Sequence, residues 1–190
     1  MPINLSQVKN YNNNKIFLET GALVGDGIQR ALDAGYEKVI SIECHLGYYN
    51  TSKDRFAGDD RVSVIHGDSS TDLYDVIKDI DENITFFLDA HYMWNDPNQD
   101  IKEHPGEGYV PTHDELKQIK KHHLNTHTIL VDDIIHLNNL ERRGPSGQDP
   151  PTGTVETLTP NLANYLLTIN ENYQFSIVSN SEGDYFECIL

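Results

Sequence analysis

The chain has 190 residues, of which 37% are apolar and 23% charged, enough for one α/β-sized domain whose core relies on 10 Tyr and 6 Phe for bulk. Its net charge of −16 comes from 30 acids and 14 bases, and each half of the chain about residue 95 holds 15 of the acids. Acidity spread over the whole surface excludes the basic footprint that a nucleic-acid backbone or an anionic membrane requires.

Apolar periodicity alternates between strand and helix along the chain. Lys15–Glu19 reads as a buried strand. Gly25–Ala34 follows as a helix stopped by Gly35. Lys38–Glu43 is a second strand, His45–Phe56 a second helix and Arg61–His66 a third strand. Ser69–Ile77 is a helix with Ser69 or Ser70 as its N-cap. Ile84–Asp89 is apolar almost throughout, as strands covered on both faces are. The rhythm breaks at Trp94–Pro111, a loop insertion holding Pro97, Pro105 and Pro111. Thr112 then opens a capping-box pattern with Glu115, and the helix is expected to run to about His123, its end exposed. Thr126–Asp132 is the fifth strand, and Leu140–Gly153 is a second loop insertion. Thr154–Asn170 is a helix interrupted by Pro160. Tyr173–Ser179 and Tyr185–Leu190 form a hairpin. Five strand–helix alternations predict a single α/β domain over 1–190, a parallel sheet with helices on both faces, to which the hairpin adds an antiparallel strand.

Each of the five parallel strands ends in, or is soon followed by, an acid: Glu19, Glu43, Asp68, Asp89 and Asp132–Asp133. Ligands of open α/β sheets bind outside the carboxyl ends of the strands. Helix N-capping also favours Asp after a strand and accounts for Asp68 well; it accounts for Glu19 and Glu43 poorly. The first turn reads Glu19-Thr-Gly21-Ala-Leu-Val-Gly25-Asp-Gly27. Its glycines let backbone approach a ligand, and the next helix offers free N–H groups. The turn is neither G-x-G-x-x-G nor a P-loop. Glu43, at the next strand end, stands where an acid would hold ribose hydroxyls. His91 lies two residues beyond Asp89, so on extended backbone the two side chains share a face. A neutral imidazole there suits a general base; the bland reading is a histidine that orients a carboxylate. His113 and His136 are weaker candidates from neighbouring loops, and the remaining histidines read as solvated.

With these residues in place, the chain resembles the class I S-adenosylmethionine-dependent methyltransferases from about Lys15 to the final hairpin. The E-x-G opening of Glu19 and Gly21 is similar to that family's methionine-side motif, although Ala22 stands where a third close glycine is usual and Gly25 and Gly27 follow. Glu43 matches the ribose-binding acid. His66-Gly67-Asp68-Ser69 matches the adenine-side segment, and Leu88-Asp89-Ala90-His91 and Val131-Asp132-Asp133 match the fourth and fifth strand ends. The resemblance implies a Rossmann-like three-layer sandwich of seven strands, with S-adenosylmethionine as cofactor held by Glu19, Gly21, Gly25, Glu43, Asp68, Ser69 and Asp89. Asp89, Asp132 and Asp133 resemble the acids of metal-dependent small-molecule O-methyltransferases, which implies Mg2+ as a second cofactor. Three oxygen donors with open positions suit that ion, which would acidify an acceptor hydroxyl. Catalysis would fall to His91 and Asp89, with a sugar or natural-product-like hydroxyl as acceptor.

Other readings stay open. A nucleoside-binding module of this fold without catalysis is one; a nicotinamide enzyme is disfavoured by the missing glycine fingerprint. Cys44 and Cys188 are too few for a disulfide framework or zinc site. Residues 1–15 lack the apolar core of a signal peptide, and no run reaches the roughly 18 apolar residues of a span. A cytoplasmic protein with a small-molecule acceptor, no nucleic acid and no membrane partner is expected, self-association into a homo-oligomer being left open.

Overall fold

Runs that are apolar at every position can be stable only between two covering layers, and this is where the computed structural model puts them. It describes residues 11, 13–91, 111–132, 155–180 and 183–190. In chain order the elements are β1 (Ile16–Thr20), α1 (Asp26–Ala34), β2 (Lys38–Glu43), α2 (Leu46–Arg55), β3 (Val62–His66), α3 (Ser69–Ile77), β4 (Ile84–Leu88), α4 (Thr112–Ile119), β5 (Thr128–Val131), α5 (Val155–Leu167), β6 (Gln174–Asn180) and β7 (Gly183–Ile189). The expected loop insertions at 94–111 and 140–153, with Asp133 and His136, lie outside the described residues, Pro111 excepted.

The seven strands form one sheet in the order β3-β2-β1-β4-β5-β7-β6. β1 to β5 are parallel, whereas β7 runs antiparallel to both β5 and β6. β1 is central: Leu18 pairs with Ile40 on one side and Phe86 on the other. Alternation along each strand divides the core in two. Leu18, Ile42, Phe86 and Val131 pack with α3, α4 and α5, while Phe17, Val39, Phe87 and Leu130 pack with α1. Glu19 shares the face of Phe17, and Thr20 that of Leu18. Since β1 lies between β2 and β4, the chain's progress across the sheet reverses there, which opens a crevice at the carboxyl end of β1.

Several local expectations change. Asp68, not a serine, caps α3: its carboxylate accepts from Ser70 N at 2.8 Å, and Ser69 is the first helical residue. The capping box at Thr112 does not form. Pro111 occupies the N-cap position, Thr112 is already helical, and the Glu115 side chain points into the core. That helix stops at Ile119, short of His123. α5 runs through Pro160 unbroken, from Val155 to Leu167.

The histidines read as solvated are not all so. His122 and His127 are buried at the amino edge of the sheet. Ile84 N donates to His127 Nδ1 at 3.1 Å, which leaves the proton on Nε2. That nitrogen donates to His122 Nδ1 at 3.0 Å, and His122 Nε2 donates to the carbonyl of Ile77 at 3.0 Å. Each ring nitrogen thus has a partner in the neutral form. Burial, and then His122, pushes His127 down to about 4. Among the described residues no helix is long and apolar enough to cross a membrane.

Candidate functional site

The turn after β1 is built by backbone that side chains seldom tolerate. Gly21 and Gly25 lie at φ +88 and +85, and Leu23, at φ +46, is the one non-glycine residue with positive φ among those described. A Cβ on Gly21 would come within 3.2 Å of the Asp89 carbonyl, so the turn sits directly against the end of β4. Two clamps hold Leu23 in its conformation: its N–H donates to Glu43 Oε2 at 2.9 Å, and its carbonyl accepts from Ser52 Oγ at 2.7 Å.

Glu43 ends β2, buried, and its other oxygen accepts from His45 N at 2.8 Å. Each carboxylate oxygen therefore takes one N–H, and the Cys44 thiol donates to the same carboxylate. Glu19 is placed differently. It lies beneath α1 with Ser41 Oγ donating to it at 2.9 Å, and a Cβ on Gly27 would overlap its carboxylate. Burial, with smaller contributions from Glu43 and Asp26, raises Glu19 to about 8 against the opposing Ser41 bond. It is a carboxylic acid near neutral pH, under the turn and not on its surface.

On the next strand end, Asp68 is half-buried and engaged as the α3 cap, and its own N–H donates to Asp72 Oδ2 at 2.9 Å. Ser69 is buried and donates to Glu115 Oε1 at 2.6 Å, so its hydroxyl turns toward α4. Cys44, half-buried, has a thiol pushed up to about 12 by burial and the nearby Glu43 and Asp68, which leaves it unreactive.

On the other side of β1, Asp89 N donates to Thr20 Oγ1 at 3.3 Å, and Asp132 N donates to the Leu88 carbonyl at 3.1 Å. With Leu88 paired to Val131, Asp89 and Asp132 follow as neighbours on adjacent strand ends. His91 Nε2 lies 3.9 Å from Asp89 Oδ1, an ion-pair distance when the ring is charged and too long for a hydrogen bond. His113 is exposed on α4 with its ring edge against Tyr165. Among the described residues no three His, Cys, Asp or Glu side chains gather as a metal site. The implied Mg2+ set is represented by Asp89 and Asp132 alone, two oxygen donors of the kind that ion takes, with Asp133 outside the described residues.

Glu115 escaped the sequence reading, which had assigned it to a cap. It is fully buried, Oε2 has no partner in hydrogen-bonding geometry among the described residues, and burial raises the group to about 7. The hydroxyls of Ser69 and Thr20 favour its charged form, Thr20 without forming an aligned bond. The signal was its spacing: Thr112, Glu115, Leu116 and Ile119 occupy one helical face, and the other three are core residues.

No protein-family profile matches the sequence, and no curated protein matches it. Solved structures do. A Staphylococcus aureus protein assigned as a caffeoyl-CoA O-methyltransferase superposes with a TM-score of 0.65 at 14% identity, over 100% of this chain and 86% of that one. An O-methyltransferase from Bacillus cereus, solved with S-adenosylhomocysteine, gives 0.57 at 15% identity over 99% and 82%. A Clostridium thermocellum protein assigned as an rRNA methylase gives 0.58 at 13% over 99% and 98%. The chain therefore has the Rossmann-like fold of class I methyltransferases. Neighbours with such different assigned acceptors show that the fold alone does not choose one.

Proposed function

We propose that the chain binds S-adenosylmethionine at the turn after β1 and transfers its methyl group to a hydroxyl of a small, sugar- or natural-product-like acceptor. One observation carries the reading. Glu43, a buried carboxylate at the end of β2, is bonded to the turn at Leu23, and that turn lies at the reversal point of the sheet. In this reading Glu43 accepts the ribose hydroxyls, Gly21 and Gly25 let the backbone approach the methionine side, and Asp68 with Ser69 borders the adenine. The bound cofactor supplies an electrophilic methyl on its sulfonium. His91 faces the acceptor side and takes the proton from the hydroxyl oxygen as that oxygen attacks, with Asp89 beside it to stabilise the charged ring. The site's remaining work is alignment. Asp89 and Asp132, joined by Asp133, would hold a divalent ion that lowers the acceptor's pKa. The acidic surface (net −16) supports a small acceptor over nucleic acid.

Calorimetry with S-adenosylhomocysteine tests the binding step. Loss of the paired contact in Glu43→Ala should cost roughly 1.5–3 kcal/mol. Unchanged affinity removes Glu43 from the site, and no binding by the wild type rejects the reading. Binding without turnover on a panel of hydroxylated acceptors, with and without Mg2+, favours the non-catalytic module.

A further inference from the structure

A fully buried carboxyl on α4, reaching neither the turn nor the strand-end acids directly, asks for an explanation that stability does not provide. Removing Glu115 from water is costly, and an apolar residue of its size would pack on Leu116 and Ile119 at no such cost. Its contacts are specific. Oε1 receives the Ser69 hydroxyl at 2.6 Å; one turn along the same face, Gln118 Nε2 donates to the Ser69 carbonyl at 2.8 Å, and Gln118 Oε1 accepts from Tyr74 N at 2.8 Å. Ser69 is thus held at both its hydroxyl and its carbonyl by α4. Ser69 follows Asp68 directly, so the turn between β3 and α3 has its position set from α4. The same carboxyl also faces the Thr20 hydroxyl, and Thr20 precedes Gly21 and accepts from Asp89 N. One carboxyl therefore stands between the β1 turn and the β3 turn.

We propose that Glu115 is a positioning residue of the nucleoside subsite, which holds Ser69 and with it the Asp68 turn in place before the ligand arrives. The assignment rests on the S-adenosylmethionine reading above. Preorganising such a turn raises affinity by removing an ordering cost from the binding step.

The test is calorimetry with S-adenosylhomocysteine on the full chain, at a temperature where circular dichroism shows each variant folded. Glu115→Met keeps the volume but drops the Ser69 bond, and Ser69→Ala drops it from the other end. Both should weaken binding by roughly 3–10-fold, the worth of one such bond. Glu115→Gln keeps an acceptor for Ser69 and a donor for Thr20, and should stay within about 2-fold of wild type. Tyr173→Phe, which removes a buried bond to the His127 carbonyl far from the site, should lower stability and leave affinity unchanged. Wild-type affinity in Glu115→Met overturns the proposal, as does a Glu115→Gln variant as weak as Glu115→Met. If Glu115→Met does not fold, Ser69→Ala decides by the same criterion. Failure of the wild type itself to bind overturns the cofactor reading and this assignment together, whereas binding by wild type and Glu115→Met alike overturns this assignment only.

Discussion

His91 and Glu19 show how differently two rim residues of one sheet can act. His91 is partly exposed, beside Asp89 and outside the backbone of the turn, so its removal should touch chemistry and not cofactor binding. His91→Ala is expected to lower kcat by roughly 10²–10⁴-fold, the range for a positioned base, with S-adenosylhomocysteine affinity nearly unchanged. A kcat within a few-fold of wild type would move the base elsewhere, and loss of cofactor binding would make the residue structural. Glu19 was legible as an acid at a strand end but not as a buried one. Its depth depends on Gly27, eight residues on, lacking a side chain, a tertiary relation that spacing does not encode. Glu43 was legible as an acid at a strand end; its bonds to Leu23 N and His45 N were not, since they depend on turn conformations that spacing does not encode. Asp68 answers to capping, its carboxylate accepting from Ser70 N.

At the level of elements, the strands were readable because central parallel strands are apolar at every position, and β1 and β4 are buried throughout. Helix ends were less so. The T-H-D-E run of α4 satisfies a local capping rule, yet Glu115 gains more from Ser69 across the fold than from its own N-terminus. The turn after β1 gives the sharpest element-scale test. Gly35 sits at φ +94 with nothing near its missing Cβ, while at Gly25, φ +85, an added Cβ would come within 2.6 Å of the Phe56 ring. Gly35→Ala should therefore cost only the left-handed backbone penalty of about 1–2 kcal/mol, and Gly25→Ala should cost more by the displacement of Phe56. Gly27→Ala should be the worst of the three, since it strikes the enclosed Glu19 carboxylate. Urea denaturation of the three variants ranks them. Adding Glu19→Ala to Gly27→Ala should recover part of the loss, and strictly additive losses would show that the two do not meet.

For the whole molecule, buried titratable groups on opposite ends of the sheet set how stability follows pH. Glu19 and Glu115, at the carboxyl end, are raised from 4.5 to about 8 and about 7. The folded state keeps protons that the unfolded state has released, so stability falls as pH rises from 4.5 through those values. His127, at the amino end, is lowered from 6.5 to about 4. There the unfolded state binds the proton first, so stability falls as pH drops from 6.5 toward 4. Between these limits two carboxyls oppose one imidazole, and the carboxyls prevail. Their direction is reinforced by self-repulsion of a chain at −16, which grows as the pH moves above the pI of about 4.7. The protein should thus be more stable at pH 5.5 than at pH 8. Each unit of suppressed ionisation is worth about 1.4 kcal/mol, or roughly 3–6 °C in Tm for a chain of this size. Glu19→Gln should flatten the alkaline side by removing the larger of the two carboxyl shifts, at whatever constant offset the amide imposes at all pH values. His127→Phe, which gives up the Ile84 N–H partner and so starts from a lower Tm, should flatten the acid side instead. Thermal melts from pH 4 to 8 at low protein concentration separate the two. A wild-type Tm that climbs steadily from pH 5.5 to 8 would show that Glu19 and Glu115 ionise freely in the folded state, and with it that neither carboxyl is enclosed as described.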